Sequence, residues 1–315
     1  MQTTKEKSKL YTNPLFVAAF AILCCALWGS ATPFIKMGYD LILPPDRSVS
    51  SVILFAGIRF FFAGIITIII YSIARKRFLY PQKRNLGKIA TVSAFQTVIQ
   101  YLFFYIGLAN TSGVKGTIIS GSNAFFAILV SAIIFKQEKL TPKKIVACLL
   151  GFAGIIIVNW DGSAFSINFT GDVFVLFSAI SYAVSSNLMK KFSKDEEPVI
   201  ISGYQFIMGG LFMIIVGVIF GGKILYINSL EAFAVMAYLA LLSAVAYSVW
   251  GILLKYNPVS KVSIYSFMIP VFGVVLSAII LKEFSKISFV SLGITMVLVC
   301  VGILMINYTK QKKQQ

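Results

Sequence analysis

Ten long apolar stretches are the feature that most limits how this chain can fold. Each has about the 20 residues that an α-helix needs to cross the hydrocarbon core of a bilayer. They cover about residues 14–38, 51–74, 87–108, 113–135, 143–160, 171–191, 199–220, 231–254, 258–281 and 287–308. None sustains the polar–apolar alternation that a membrane β-barrel requires. We therefore predict an all-α membrane protein with ten transmembrane helices.

The charge distribution argues against a nucleic-acid partner. The net charge is +17, yet only 12% of the 315 residues are charged and there is no histidine. A nucleic-acid-binding protein clusters its basic residues on one solvated face, whereas here they fall in short groups between apolar stretches. The expected partners are the lipid bilayer and a small-molecule substrate, and the expected state is a monomer or weak homodimer.

The positions of Lys and Arg predict which side each loop faces, because cytoplasmic loops carry an excess of both. A cytoplasmic N-terminus places twenty-one basic residues inside and five outside, with Lys36 and Arg59 left within spans. Both termini are then cytoplasmic, with tails at 1–13 and 309–315. The expected location is the plasma (cytoplasmic) membrane.

The two halves of the sequence align at a constant offset of 146 residues. The matched pairs include Gly57 with Gly203, Gly64 with Gly210, Tyr101 with Tyr247, and Ser120 with Ser266. Each half holds five spans, an odd number, so the halves would enter the membrane from opposite sides. The loop at 75–88 carries six basic residues and its counterpart at 221–234 carries one, as inverted topology predicts.

We therefore predict two inverted five-helix repeats, at residues 14–160 and 171–308, joined by an extracytoplasmic linker at 161–170. The pseudo-two-fold axis between such repeats lies in the membrane plane. A site on that axis can open to either side when one half rocks against the other. This symmetry favours a transport function.

Several short motifs within the spans match a known pattern. They are Trp28-Gly29, Arg59-Phe60, Tyr105-Ile106-Gly107-Leu108, and Pro270-Val271-Phe272 followed by Ser277 to Glu283. In these motifs, and over about residues 15–308, the sequence resembles the EamA-type branch of the drug/metabolite transporter superfamily. The resemblance implies a ten-span carrier that moves small metabolites by alternating access, with amino acids as the first expectation. The two repeats differ at two aligned positions: the equivalent of Arg59 is Gln205, and the equivalent of Pro270 is Ala124.

Polar and aromatic side chains within the spans predict a substrate cavity. Polar groups inside a membrane face protein or water, and small-molecule sites are apolar pockets with a few placed polar groups. The predicted cavity residues are Trp28, Gln96, Gln100, Tyr101, Asn123, Tyr182, Asn187, Tyr247, Trp250 and Tyr265. For each residue taken alone, hydrogen bonding between helices is the alternative explanation.

Four charged residues in or near spans are candidates for gating or charge recognition: Lys36, Arg59, Glu138 and Glu283. Arg59 has two open roles, binding a substrate carboxylate or holding backbone carbonyls or a helix end. Lys36 either acts at the outer mouth or extends to the membrane interface. Glu138 and Glu283 either couple transport or pair with nearby lysines.

The residues that are missing restrict the chemistry. No acidic residue lies in mid-span, so an obvious proton relay is absent. No carboxylate pair, His/Cys cluster or phosphate-binding glycine loop supports hydrolysis, metal catalysis or ATP drive. We expect no enzyme activity, no cofactor and no metal, with transport that is passive or coupled through Glu138, Asp172 or Glu283. The four cysteines are expected to be free thiols.

The leading hypothesis is a secondary carrier that moves a small amphipathic metabolite, an amino acid or related compound, with export as the expected direction. The alternative is export or flipping of multidrug or lipid-linked substrates. Such substrates need an acidic cavity or a lateral opening, and neither is evident in the sequence. An intramembrane enzyme is the remaining alternative.

Overall fold

The computed structural model describes residues 4–111, 113–159, 168–225, 229–281 and 288–308. This part of the chain contains ten helical segments long and apolar enough to cross a membrane, as predicted. Spans 1 to 10 are Pro14–Ile42, Val49–Ala74, Lys83–Ala109, Lys115–Ile133, Pro142–Asn159, Phe169–Phe192, Pro198–Ile219, Leu230–Tyr256, Val259–Ile280 and Phe289–Asn307. No strand occurs among these residues, which confirms the all-α class.

Short polar side chains begin several spans. Asn13 and Ser48 accept hydrogen bonds from backbone N–H groups in the first turns of spans 1 and 2, as Asn168 and Ser229 do in spans 6 and 8. Such caps satisfy donors that lack a partner within the helix. The predicted N-terminal tail contains a further helix, Thr4–Thr12, which its polar sequence did not indicate. All four cysteines are free thiols, as predicted.

Span 3 is not a uniform α-helix. Residues Ala94–Ile99 form a π-helical segment between the helices Leu86–Ser93 and Gln100–Ala109. The segment interrupts the regular spacing of Gln96 and Gln100 that an unbroken α-helix predicts. Single π-turns inside α-helices occur frequently at functional sites.

Spans 4 and 9, which are equivalent in the repeat, are both interrupted. Span 4 divides at Ser122, where the helix Gly113–Gly121 ends and Asn123–Ile133 follows. Span 9 contains a 3₁₀ stretch, Ile264–Phe267, near its start. Interrupted helices at corresponding positions of two repeats are typical of transporter binding sites.

Each half of the chain completes the packing of the other. Span 1 packs mainly against spans 8 and 9, and span 6 packs against spans 3 and 4. Spans 2 and 7 pack against each other, as do spans 5 and 10. The pattern is symmetrical, because each span of the first half corresponds to the span five places later. Each repeat has an odd number of spans, and their opposite orientation in the membrane stays a prediction.

Spans 2 and 7 approach each other through equivalent glycines. A Cβ at Gly64 would lie 2.5 Å from the carbonyl oxygen of Gly203, and one at Gly210 would lie 2.8 Å from that of Gly57. The repeat offset relates these two contacts. Phe60 stacks on its own equivalent, Phe206, with ring centroids 5.2 Å apart. A residue that contacts its own equivalent lies beside the two-fold axis, so the axis passes between these spans.

We predict that Gly64→Ala and Gly210→Ala each destabilise the protein. The added methyl group meets backbone atoms of the facing span, which cannot rotate away, and overpacking costs about 1–3 kcal/mol. The melting temperature of the detergent-solubilised protein, measured by heating followed by size-exclusion chromatography, should fall by several degrees.

Gly293→Ala is the matched control. A Cβ at Gly293 meets no atom within 4 Å, and alanine favours the helix, so stability should not fall. If Gly64→Ala were as stable as Gly293→Ala, the close approach of spans 2 and 7 would be contradicted.

Candidate functional site

A connected group of aromatic rings lies where the two repeats meet. This central aromatic cluster consists of Trp28, Phe60, Tyr101, Phe206, Tyr247 and Trp250. The Trp28 ring lies 5.1 Å from that of Tyr247 and 5.0 Å from that of Trp250. Phe60 contacts Tyr101 at 4.5 Å, and Phe206 contacts Tyr247 at 4.9 Å. The last two contacts are equivalent in the repeat, so the cluster shares the two-fold axis.

Tyr101 and Tyr247 join the repeats by a hydrogen bond. Their hydroxyl oxygens are 2.8 Å apart, and the residues are 146 positions apart in the chain, the offset of the repeat. Sequence alignment pairs them as equivalents but cannot show that they touch. The bond therefore brings two predicted cavity residues together on the axis.

Most predicted cavity residues are enclosed by protein. Gln96, Gln100, Tyr182, Asn187, Tyr247, Trp250 and Tyr265 are buried, and Trp28, Tyr101 and Asn123 are partly exposed. Two open grooves, of about 580 and 650 Å³, lie instead at the end of the bundle that carries most of the basic loops. We call this end the basic end. Neither groove includes a residue of the central aromatic cluster.

Several buried polar atoms near the centre lack a protein partner. Trp28 Nε1, Gln96 Oε1, Gln100 Oε1 and Asn123 Oδ1 make no hydrogen bond among the described residues. Buried polar groups in native proteins are nearly always paired with protein or ordered water. Trp28 belongs to the cluster, Gln100 precedes Tyr101, and Asn123 follows the break in span 4. These atoms are available to a bound molecule or to water.

Two predicted cavity residues make specific packing contacts. The side-chain nitrogen of Asn187 donates to the carbonyl oxygens of Ala127 and Ala183, which ties span 6 to span 4. The carbonyl oxygen of Tyr265 accepts a hydrogen bond from the thiol of Cys25, which ties span 9 to span 1. A role for these two residues in lining the cavity stays a prediction.

Arg59 is buried inside span 2, with 4% of its surface exposed. Its guanidinium lies 4.3 Å from the ring centroid of Phe60, and its Nε donates to no acceptor among the described residues. None of the ion pairs in the described part of the chain includes Arg59. Lys36, by contrast, is exposed on span 1. Glu283 lies outside the described residues.

Comparison with known families decides the class of protein. The model of the EamA-like transporter family matches twice, over residues 15–160 and 169–308. The chain belongs to the EamA-like transporter family. It is therefore a multi-pass membrane transporter, and this membership confirms the family resemblance found in the sequence.

Relatives of this EamA-like protein cover most of its length. An uncharacterized transporter of Synechocystis sp. is 26% identical over 283 residues, 82% of each chain. An uncharacterized transporter of Bacillus subtilis is 25% identical and covers 96% of this chain and 94% of its own. A probable amino-acid metabolite efflux pump of Escherichia coli is 26% identical and covers 84% of this chain and 86% of its own.

A solved crystal structure has the same fold. It superposes with a TM-score of 0.73 over 92% of this chain and 97% of that one, at 18% sequence identity. The family and its relatives point to a transporter and not to an enzyme. Among the described residues, no three Cys, Asp or Glu side chains are grouped as metal ligands would be.

Glu138 of this EamA-family protein links the two repeats at the basic end. Its carboxylate accepts hydrogen bonds from the backbone N–H of Ser260 at 3.0 Å and from the Ser260 hydroxyl. Lys144 donates to the same carboxylate at 2.7 Å. The predicted pairing of Glu138 with a nearby lysine is therefore present, and the contact with the start of span 9 adds a bond between repeats.

A second connection between the repeats at the basic end was not predicted from the sequence. The acidic run Asp195-Glu196-Glu197 of the second repeat faces the basic loop 75–88 of the first. Glu196 accepts from Asn85 Nδ2 at 3.1 Å, and Lys88 donates to Asp195 at 2.5 Å. The lysine holds the pKa of the Asp195 carboxyl below its ordinary value. Three consecutive acids in an otherwise basic set of loops were the signal available in the sequence.

We predict that Glu138→Gln lowers stability at neutral pH. Burial raises the pKa of the Glu138 carboxyl, but hydrogen bonds from Lys144 and Ser260 outweigh that effect, so the pKa lies below its ordinary value. The resulting stability is present above the unfolded-state pKa, about 4.3, and is lost as pH falls through the lower folded value. The loss at pH 7 should be about 1–3 kcal/mol.

The measurement is the melting temperature of both proteins between pH 4 and pH 8. The difference between wild type and Glu138→Gln should be largest at neutral pH and shrink toward pH 4. Glu231→Gln changes an exposed carboxyl on span 8 and is the control. A difference that is equal at all pH values would mean that the ionised carboxylate is not what stabilises the contact.

Proposed function

We propose that this protein is a secondary carrier that moves a small amphipathic metabolite, an amino acid or related compound, by alternating access. The proposed location is the plasma membrane, with both termini cytoplasmic and export as the direction. The observation that carries the proposal is the set of unpartnered buried polar atoms beside the Tyr101–Tyr247 pair. Gln96, Gln100 and Asn123 lie on the interrupted spans 3 and 4, and Trp28 of span 1 packs on Tyr247 of the other repeat. A ligand at this interface can interact with both repeats.

The central aromatic cluster suits an amphipathic ligand. Rings on several sides offer apolar surface, and amide and indole groups offer a few hydrogen bonds, which is the usual composition of a small-molecule site. The name of the Escherichia coli relative, a probable amino-acid metabolite efflux pump, supports an amino acid or a related compound as the substrate.

In alternating access, the polar contacts that close one end of the bundle would break while those that close the other end stay formed. At the basic end, Glu138 bonds to Ser260, and Asp195 and Glu196 bond to the 75–88 loop. At the opposite end, the N–H of Lys223 donates to Ser51 Oγ at 2.9 Å, and the N–H of Leu225 donates to the carbonyl oxygen of Ile42 at 2.7 Å. Both sets join the two repeats, so releasing either one frees that end to open.

Multidrug or lipid-linked substrates remain the alternative within the same superfamily. A cationic drug is usually bound in an acidic cavity, but no residue of the central aromatic cluster is acidic and the buried charge beside it is Arg59. The predicted cavity residues also include no carboxylate, histidine or cysteine with which an intramembrane enzyme could perform acid–base or nucleophilic chemistry.

Counterflow in proteoliposomes tests the proposal. Vesicles loaded with one unlabelled L-amino acid should accumulate the labelled form for at least one of the twenty. Gln100→Ala and Tyr247→Ala should each slow this exchange about tenfold, because each removes a polar group and contact surface from the site. Expression and monodispersity should stay near wild type.

Phe233→Ala is the control, since this side chain is on span 8 but is 63% exposed on the outside of the bundle. Exchange of a fluorescent lipid analogue without exchange of any amino acid would reject the metabolite hypothesis. Normal amino-acid exchange by both cavity variants would remove Gln100 and Tyr247 from the site.

We also predict that an imposed pH gradient does not accelerate exchange. Glu138 is ionised at neutral pH by its contacts with Lys144 and Ser260, so it does not take up a proton in this conformation. The measurement is uptake with and without a gradient of one pH unit, using a proton ionophore as the control. Several-fold acceleration that Glu138→Gln abolishes would contradict passive transport.

A further inference from the structure

We propose that Arg59 forms a subsite for the carboxylate of the transported molecule, together with the nearby tyrosines Tyr39, Tyr105 and Tyr247. The inference rests on the proposed function and extends it by specifying the charge of the substrate. It makes the carrier selective for anionic or zwitterionic acids over their neutral derivatives.

The first argument is the cost of the buried cation. Arg59 lies ten residues into span 2, and a central arginine costs about 2.5–3.5 kcal/mol on insertion scales. The contact with the face of Phe60 offsets part of this cost. The ring face does not accept hydrogen bonds from the N–H groups in the plane of the guanidinium, however, and Nε lacks an acceptor. The fork of donors therefore remains available to an anion.

The second argument is that no protein carboxylate among the described residues fills this role. The sequence contains no Asp or Glu from residue 47 to residue 137, which includes all of span 2. At the end of the bundle where span 1 meets span 2, the Asp40 side chain is 63% exposed and paired with Arg47, and Asp46 is exposed.

The third argument is the set of tyrosine hydroxyls that interact electrostatically with the Arg59 guanidinium, those of Tyr39, Tyr105 and Tyr247. Phe60, on which the guanidinium lies, contacts the Tyr101 ring at 4.5 Å, and that ring lies 5.9 Å from Tyr105. The three tyrosines come from spans 1, 3 and 8, and thus from both repeats. Tyrosine hydroxyls donate charge-assisted hydrogen bonds to carboxylates. Through its bond to Tyr101, Tyr247 connects the subsite to the central aromatic cluster.

The fourth argument is the contrast with the second repeat. Gln205, the equivalent of Arg59, is fully buried, and its Oε1 accepts a hydrogen bond from Thr97 at 2.6 Å. The fold therefore accommodates a neutral side chain at this position by pairing it with a neighbouring span. A cation is not required for packing there. Gln205 Nε2, like Arg59 Nε, donates to no acceptor among the described residues, and the two positions differ in that only the first repeat places a positive charge there.

The test compares amino acids with their amides, which differ only in the carboxyl group. Purified full-length protein in lipid nanodiscs is heated with each of the twenty L-amino acids or the corresponding amide, because a bound ligand raises apparent stability. Every amino acid that stabilises wild type is titrated against Arg59→Gln, Arg59→Lys and Tyr105→Phe, and is measured in counterflow.

We expect Arg59→Gln to weaken binding of the acid on the order of 10- to 100-fold, with a smaller loss for Arg59→Lys. The amide should bind wild type weakly and be unaffected by the substitution. Arg47→Gln, which changes an exposed arginine at the same end of the bundle, is the matched control and should bind as wild type does.

The outcomes separate the two proposals. If wild type exchanges an amino acid but Arg59→Gln binds it equally well, or loses acid and amide alike, the carboxylate subsite is rejected and the carrier function stands. If wild type neither binds nor exchanges any amino acid, the proposed substrate class fails and the subsite fails with it. If Arg59→Gln does not fold, the same comparison is made with Arg59→Lys and Tyr105→Phe. If these variants weaken binding of the acid and of the amide equally, the subsite is rejected.

Discussion

The close contact between spans 2 and 7 is the constraint on which the rest of the molecule depends. Gly64 faces the backbone of span 7 as Gly210 faces the backbone of span 2, so the same contact is made twice about one axis. Phe60 and Phe206 stack beside that axis, and each supports one tyrosine of the Tyr101–Tyr247 pair. The position of the central aromatic cluster follows from this packing.

The centre and the two ends of the bundle are held together differently. At the ends, the repeats are joined by hydrogen bonds and ion pairs, each worth about 0.5–3 kcal/mol. At the centre they are joined mainly by aromatic rings, with several polar atoms left unpaired. The central aromatic cluster can therefore stay packed while the polar connections at one end of the bundle break. The proposed alternating access requires this kind of opening.

The sequence predicted the elements better than their interactions. Continuous apolar stretches predicted all ten spans, and the constant offset paired Tyr101 with Tyr247. That these equivalents touch depends on how the spans pack, which no alignment contains. The bond from Glu138 to Ser260 also depends on tertiary packing, and the apolar pattern of span 3 does not predict the π-helical segment at Ala94–Ile99. For Arg59, the sequence left two roles open, and burial without an acceptor for Nε favours charge recognition.

The single buried arginine also makes the proposed carrier asymmetric. Repeats related by a two-fold axis would present the same surface to a substrate from either side, but the equivalent of Arg59 in the second repeat is the neutral Gln205. Arg59 lies nearer the start of span 2, which is at the end opposite the basic loops. A carboxylate bound there sits off the axis toward that end. The two open states of the carrier would then differ in their affinity for the anion. In a passive carrier this difference makes half-saturation unequal on the two sides, while the concentration gradient sets the direction of net flux.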